Sequence, residues 1–216
     1  MINENFYESF EEQAQEFDEE IKIIVLGESG VGKSNLIIRY NGGQFDSNSL
    51  SNNSASFITK DLTFNDKVYR INIWDTAGQE KYHSLTKIFV KGSNIALIVY
   101  AINDKNSFNM VDFWYKILQD SCENIKICLV GNKVDLFSNK VVNEETAKKK
   151  AQEMNAGFGL TSALNEDSGI DELIDGLIKE YINTKGKKPE GQDNKKIALG
   201  NKDVKEKTEG KKGKCC

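Results

Sequence analysis

The chain has 216 residues, 38% apolar and 29% charged, a composition typical of a soluble globular protein with one sizeable core. Its longest apolar run, Ile95–Ile102, is far shorter than the roughly 20 residues of a membrane-spanning helix. The N-terminus shows no basic segment followed by an apolar stretch, so a secretory signal is not expected. The four cysteines, two of them terminal, do not suit a disulfide framework. We therefore expect a protein of the reducing cytoplasm and exclude the secreted, membrane-spanning and disulfide-stapled classes of protein.

Charge is distributed unevenly along the chain, whose formal net charge is −4. Residues 1–20 hold eight acidic residues and no Lys or Arg, whereas residues 183–216 hold eleven Lys against five acidic residues. The intervening residues 21–182 are nearly neutral. This distribution predicts an acidic N-terminal arm, one globular domain, and a Lys-rich tail too poor in apolar residues to order itself.

Residues 21–182 alternate between short β-rich apolar runs and helix-like segments. Six strands are predicted, at 21–26, 57–64, 68–74, 95–101, 125–130 and 157–161. The turn-forming pair at 65–66 predicts that the second and third strands form an antiparallel hairpin. Five helices are predicted, at 33–41, 79–91, 106–120, 144–155 and 169–182. This alternation indicates an α/β domain with a mostly parallel sheet.

The segment 27–34, GESGVGKS, matches the pattern GxxxxGK[ST] between a predicted strand and a predicted helix. Its glycines let successive backbone N–H groups converge on an anion, and the helix N-terminus adds the positive end of its dipole. Lys33 is a charge for the β- and γ-phosphates, and the Ser34 hydroxyl is a Mg²⁺ ligand. The predicted phosphate-binding residues are Ser29, Gly30, Val31, Gly32, Lys33, Ser34 and Asn35.

The segment 74–80, WDTAGQE, follows the third predicted strand. A carboxylate at the carboxyl end of a strand beside a phosphate loop suits Mg²⁺ binding through water, which assigns this role to Asp75. Gly78 can bring its N–H close to a γ-phosphate, and Gln79 can orient an attacking water. Gln79 is therefore the predicted catalytic residue.

The segment 131–135, GNKVD, follows the fifth predicted strand and predicts the base that is bound. Asp135 can accept hydrogen bonds from guanine N1–H and N2–H₂, which adenine does not offer, and a buried carboxylate left unpaired would reject adenine. Asn132 can bond the purine N7, and the Lys133 stem can lie along the ring. Backbone donors for guanine O6 are expected after the last strand, at Ser162, Ala163 and Leu164.

GESGVGKS, WDTAGQEKYHSL, GNKVD and TSA, in this order, resemble the Ras superfamily and most of all its Rab family, over about residues 21–182. The resemblance implies a P-loop NTPase three-layer sandwich that switches between GDP and GTP forms with Mg²⁺ as cofactor. It places switch I at 45–57 and switch II at 76–90, with Phe45 packed against guanine. It also implies an effector-binding hydrophobic triad of Phe57, Trp74 and Phe89. The string YHSL at 82–85 is similar to the endosomal branch of the family.

The sequence departs from the family pattern in switch I and in the loop after the last predicted strand. Asn52-Asn53-Ser54 stands where Rab proteins carry Thr-Ile-Gly. The side-chain carbonyl of Asn52 has a different reach from a threonine hydroxyl, so we expect poorer Mg²⁺ ligation and weaker coupling of the γ-phosphate to switch I. Leu164 replaces the family lysine, which predicts lower nucleotide affinity with guanine specificity retained by Asp135.

The chain ends in Cys215-Cys216, preceded by lysines at 211, 212 and 214. Its similarity to Rab tails implies geranylgeranylation of both cysteines. One lipid chain binds a membrane only marginally and two bind stably, while each nearby lysine adds up to about 1 kcal/mol at an anionic surface. The acidic residues of the tail and the net charge argue against nucleic acid as a partner.

These observations predict a Rab-like GTP-binding switch that hydrolyses GTP slowly and recruits effectors in vesicle trafficking. The resemblance implies as partners an exchange factor, a GAP, a GDP-dissociation inhibitor, an escort protein and a prenyltransferase. It also implies the cytoplasmic face of intracellular membranes, with a cytosolic pool. The alternative is a GTP-binding scaffold with impaired hydrolysis or switching, caused by Asn52–Ser54. A P-loop kinase is disfavoured because NKxD and DTAGQ have no role there.

Overall fold

Strands and helices alternate along the part of the chain that the structure, a computed structural model, describes: residues 16–43, 56–76, 83–165 and 169–185. The strands are β1 Glu19–Leu26, β2 Ser56–Phe64, β3 Lys67–Asp75, β4 Ile95–Ala101, β5 Lys126–Asn132 and β6 Gly157–Leu160. The α-helices are α1 Lys33–Tyr40, α2 His83–Val90, α3 Lys105–Asn109, α4 Val111–Ser121, α5 Glu144–Glu153 and α6 Ile170–Lys185. A 3-10 helix spans Val134–Asn139. All six predicted strands are confirmed.

The strands form one sheet in the order β2-β3-β1-β4-β5-β6. β2 and β3 are antiparallel, and both residues of the turn between them, Asn65 (φ 52°) and Asp66 (φ 58°), adopt the left-handed conformation that tight hairpins require. The other neighbouring strands are parallel. The carboxyl ends of β1, β3, β4, β5 and β6 therefore lie at one edge of the sheet, where ligands of such folds bind.

Helices cover both faces of the sheet, as a three-layer sandwich requires. Alternate residues of β1 point to opposite faces, so Ile23 and Val25 join one core while Ile24 and Leu26 join the other. The first core includes apolar residues of α1 and α6, and the second includes residues of α4 and α5. Every residue of β4 is buried, as expected of a central parallel strand. The predicted α/β class and sandwich architecture are confirmed.

The number of helices differs from the prediction, because the described residues contain six α-helices rather than five. The helix predicted at 106–120 is divided at Met110 (φ −81°, ψ −5°), which lies between α3 and α4. Asp104 caps the first piece, its side chain accepting a hydrogen bond from Asn106 N. None of the helices in the described ranges is long and apolar enough to cross a membrane.

Candidate nucleotide site

The loop between β1 and α1 has a backbone that requires glycine at two of its positions. Gly27 has φ 146°, and a Cβ there would lie 2.1 Å from the Val99 carbonyl oxygen of β4. Gly32 has φ 98°, and a Cβ there would lie 2.5 Å from Asn132 Nδ2. The loop is thus pressed against two neighbouring strands, which leaves a cradle lined by main chain, as an anion nest needs.

Positive charge is placed at this cradle by α1. Lys33 is 4% exposed, and its Nζ donates to the carbonyl oxygens of Gly27 (2.8 Å) and Glu28 (2.9 Å). The first turn of α1 contains no acidic residue, and Ser34 and Asn35 are half-buried there. A helix N-terminus with a buried ammonium group beside it is suited to bind phosphate.

A carboxylate lies beside the loop, at the end of β3. Asp75 is 1% exposed and is paired in register with Val25 of β1. The next residue, Thr76, donates from Oγ1 to the Val25 carbonyl oxygen at 2.7 Å, which fixes the two strand ends together. The donor set fits Mg²⁺, because Asp75 and the hydroxyl of Ser34 offer the oxygen ligands that this ion prefers. Among the described residues no group of three or more His, Cys, Asp or Glu side chains is placed to hold a metal ion.

The predicted base-binding motif contacts the phosphate loop directly. Asn132 is 1% exposed, and its Nδ2 donates to the Val31 carbonyl oxygen at 2.9 Å while its Oδ1 accepts from Thr161 Oγ1 at 3.2 Å. Lys133 has a left-handed backbone (φ 66°), and its Nζ donates to the Gly30 carbonyl oxygen at 2.6 Å. The structure therefore brings together two motifs separated by about a hundred residues in the sequence.

Asp135 lies next to the loop after β6. Ser162 Oγ donates to Asp135 Oδ1 at 2.5 Å and accepts from Leu164 N at 3.2 Å. Ser162 and Ala163 are buried, whereas Leu164 is 49% exposed. Asp135 itself is exposed and lies on a 3-10 helix that has no buried residue.

Comparison with known proteins identifies the family. The model of the Ras family matches residues 22–183. The chain is 39% identical to Ras-related protein Rab-11B of Dictyostelium discoideum over 86% of its own length and 88% of that protein. It is 40% identical to Ras-related protein Rab-21 of Homo sapiens (76% and 72% of the two lengths) and 39% identical to GTP-binding protein ypt3 of Schizosaccharomyces pombe (79% and 79%). The chain is a Rab small GTPase of the Ras family.

Membership of this family settles the general activity. This Rab GTPase hydrolyses GTP, and its family binds GTP and GDP, typically with Mg²⁺, in vesicle transport. Membership of the Rab family also implies regulators and effectors as partners in general.

Three aromatic side chains of the Rab GTPase form a cluster on β2, β3 and α2. The Phe57 and Trp74 ring centroids are 5.1 Å apart, and those of Trp74 and Phe89 are 6.2 Å apart. Phe57 is 52% exposed, and the ammonium of Lys22 lies 5.1 Å from the Trp74 ring centroid. The triad predicted from the sequence is thus brought together at the surface.

One contact of the site was not indicated by the sequence. Arg39, in the last turn of α1, donates from Nε to the Ala163 carbonyl oxygen (3.2 Å) and from Nη2 to the Leu164 carbonyl oxygen (3.1 Å). A single arginine on a short helix is ordinarily a solvated surface residue, so no sequence pattern singles it out.

Six predicted site residues lie outside the described residues: Phe45, Asn52, Gly78, Gln79, Cys215 and Cys216.

Proposed function

We propose that this Rab GTPase is a molecular switch on the cytoplasmic face of intracellular membranes, endosomal membranes in particular, with a cytosolic pool. Its GTP form recruits effectors through the surface of Phe57, Trp74 and Phe89. Hydrolysis, with Gln79 orienting the attacking water, returns the GDP form. An exchange factor and a GAP set the nucleotide state, while a GDP-dissociation inhibitor, an escort protein and a prenyltransferase act on the tail that ends in Cys215 and Cys216.

The observation that carries this proposal is the direct bonding of the base motif to the phosphate loop. Asn132 and Lys133 both donate to carbonyl oxygens of the phosphate loop, so the base motif and the phosphate loop are bonded to each other. The base and the phosphates of one bound nucleotide would therefore contact two connected segments. Lys33 and the backbone of 29–35 bind the phosphates, Ser34 and Asp75 hold Mg²⁺, and Asp135 selects guanine. When bound, Mg²⁺ supplies charge neutralisation at the β- and γ-phosphates.

The base preference is tested by substituting Asp135. The Asp135→Asn variant replaces one acceptor oxygen with an amide donor, which no longer matches guanine N2–H₂ but does match the carbonyl at C2 of xanthine. We expect GDP to bind at least tenfold more weakly and xanthosine diphosphate more tightly than in the wild type, since a hydrogen bond to a charged carboxylate contributes about 1.5–3 kcal/mol. Asp120→Asn removes an equivalent charge on α4, at a pair with Lys87, and is the matched control. Equal affinity of the wild type for ADP and GDP would refute the proposal.

Single-turnover hydrolysis of GTP, with and without a GAP, separates the switch from the scaffold alternative. The switch predicts slow turnover that a GAP accelerates and that depends on Gln79. The scaffold predicts no acceleration in the wild type and recovery in an Asn52→Thr variant. Equal Mg²⁺ affinity and equal hydrolysis in the wild type and this variant would show that Asn52 impairs neither property.

Membrane attachment is tested with prenylated protein and vesicles that contain anionic phospholipid. The double variant Cys215→Ser/Cys216→Ser is expected to stay in solution, because two prenyl chains supply the stable anchoring that one chain does not. Cys122→Ser is the control, since that half-buried cysteine lies in the folded domain at the end of α4. Vesicle binding by the unprenylated double variant as strong as that of the prenylated wild type would contradict this part of the proposal.

A further inference from the structure

Helix α1 has polar contacts at both of its ends, and the two ends serve different parts of the site. Its first residue, Lys33, reaches the phosphate loop, and its last turn carries Arg39. The guanidinium of Arg39 donates two hydrogen bonds, to the carbonyl oxygens of the consecutive residues Ala163 and Leu164. An arginine presents its donors in a planar fork, so one side chain can satisfy two neighbouring acceptors with a single orientation.

The loop that Arg39 holds also holds Asp135. Leu164 N donates to Ser162 Oγ, and the same hydroxyl donates to Asp135 Oδ1. Asp135 lies on an exposed 3-10 helix without buried residues, so packing alone does not fix its position. Its orientation therefore depends on Ser162, and the position of Ser162 depends on the loop that Arg39 binds.

We propose that Arg39 is a positioning residue for guanine recognition: by binding the carbonyl oxygens of 163 and 164, it holds Ser162 where its hydroxyl orients the carboxylate of Asp135. The inference rests on the proposed function, because it assumes that Asp135 faces the guanine base. The side chain of Leu164 is uncharged, and the positive charge beside this loop is that of Arg39 on α1. Its location also suits α1, whose C-terminal end favours positive charge.

The test compares release of fluorescent GDP with release of the matching inosine diphosphate, which lacks the 2-amino group that Asp135 binds. In Arg39→Gln, we expect GDP release to become about tenfold faster, equal to about 1.4 kcal/mol, and inosine diphosphate release to change less. The preference for GDP over inosine diphosphate should therefore shrink. Arg39→Lys keeps the charge but not the fork, and its GDP release should approach that of Arg39→Gln. Arg70→Gln is the control, because Arg70 is paired with Asp61 on the β2–β3 hairpin.

Three results would overturn the inference. GDP release from Arg39→Gln at the wild-type rate would show that the two hydrogen bonds do not support the base site. Equal acceleration for both nucleotides, with a lower melting temperature, would assign Arg39 to general stability. A wild-type rate in Arg39→Lys would show that charge, and not the paired bonds, is what matters. If the wild type itself does not prefer GDP to ADP, the proposed function fails instead, and the two failures are thereby distinguishable.

Discussion

Substitution of Gly32 tests how tightly the phosphate loop and the base motif are joined. In Gly32→Ala the new Cβ would lie 2.5 Å from Asn132 Nδ2, a separation that real Cβ atoms do not adopt. Asn132 cannot move cheaply, because it is 1% exposed and bonded on both sides, to Val31 and to Thr161. Relief of the overlap therefore breaks the bond from Nδ2 to the Val31 carbonyl oxygen.

The expected cost has two parts. A side chain at φ 98° carries backbone strain of about 1–2 kcal/mol, since Cβ approaches the neighbouring carbonyl in left-handed conformations. Leaving buried polar groups of Asn132 and Val31 unsatisfied adds about 1–3 kcal/mol. The free energy of unfolding should thus fall by about 2–5 kcal/mol in total, a large share of the stability of an ordinary domain.

Gly30→Ala is the matched control, because it separates strain from overlap. Gly30 also has a left-handed backbone (φ 76°), but a Cβ there would have no atom within 4 Å. We expect this variant to lose only the strain component, about 1–2 kcal/mol. Unfolding in urea should be measured with GDP at the same multiple of each variant's Kd, so that ligand binding contributes equally. If the two variants lose the same free energy, the bond between Asn132 and Val31 does not join the two motifs.

Three further predictions concern the stability of the folded domain. Burial raises the pKa of the Cys128 thiol to about 12 from its ordinary 9, so the thiol ionises first in the unfolded chain. Between these two pKa values its contribution lowers the free energy of unfolding by about 1.4 kcal/mol per pH unit, measured by urea titration. Cys128→Ala should flatten this slope, and an unchanged slope would contradict the reasoning. Asn143→Ala removes the side-chain cap of α5, which accepts from Glu145 N at 2.8 Å, and should lower thermal stability by about 1 kcal/mol, whereas an unchanged melting curve would show that the cap contributes nothing. Tyr40→Phe removes the hydrogen bond from Tyr40 Oη to Asp175 (2.7 Å) that joins α1 to α6, and should cost about 1.5–3 kcal/mol in urea unfolding, while Asp175→Asn, which keeps an acceptor, should cost less.

The fold and the main motifs were predictable because their signals are local. A buried parallel strand is a short continuous apolar run, as in Ile95–Ala101, and the left-handed pair Asn65-Asp66 marks the hairpin turn. The phosphate loop needs particular residue types at fixed spacing, so its position at 27–34 can be predicted from that segment alone. The three aromatic residues of the triad were found only through the family resemblance, since nothing in their spacing places them together.

The features that the sequence did not indicate depend on contacts between distant segments. Arg39 binds carbonyl oxygens 124 and 125 residues away, and any residue type supplies a backbone carbonyl, so neither partner has a sequence signature. The interruption at Met110 is a backbone detail within a helix whose apolar spacing continues on both sides. The exposure of Asp135 follows from the position of its 3-10 helix on the surface, which the residues 132–135 do not specify.

At position 164, where the sequence departs from the family pattern, the residue makes its contacts through backbone atoms. Leu164 contributes its backbone N–H to Ser162 and its backbone carbonyl to Arg39, and the residue is 49% exposed. Because leucine and lysine have the same backbone groups, we expect leucine at this position to allow the same backbone contacts without the charge of a lysine. At Asn132, by contrast, the side chain itself makes the bonds, so no other residue type preserves them. Guanine selection should therefore survive the change at 164. Substitutions that move the backbone of 162–164 should instead lower the preference for guanine.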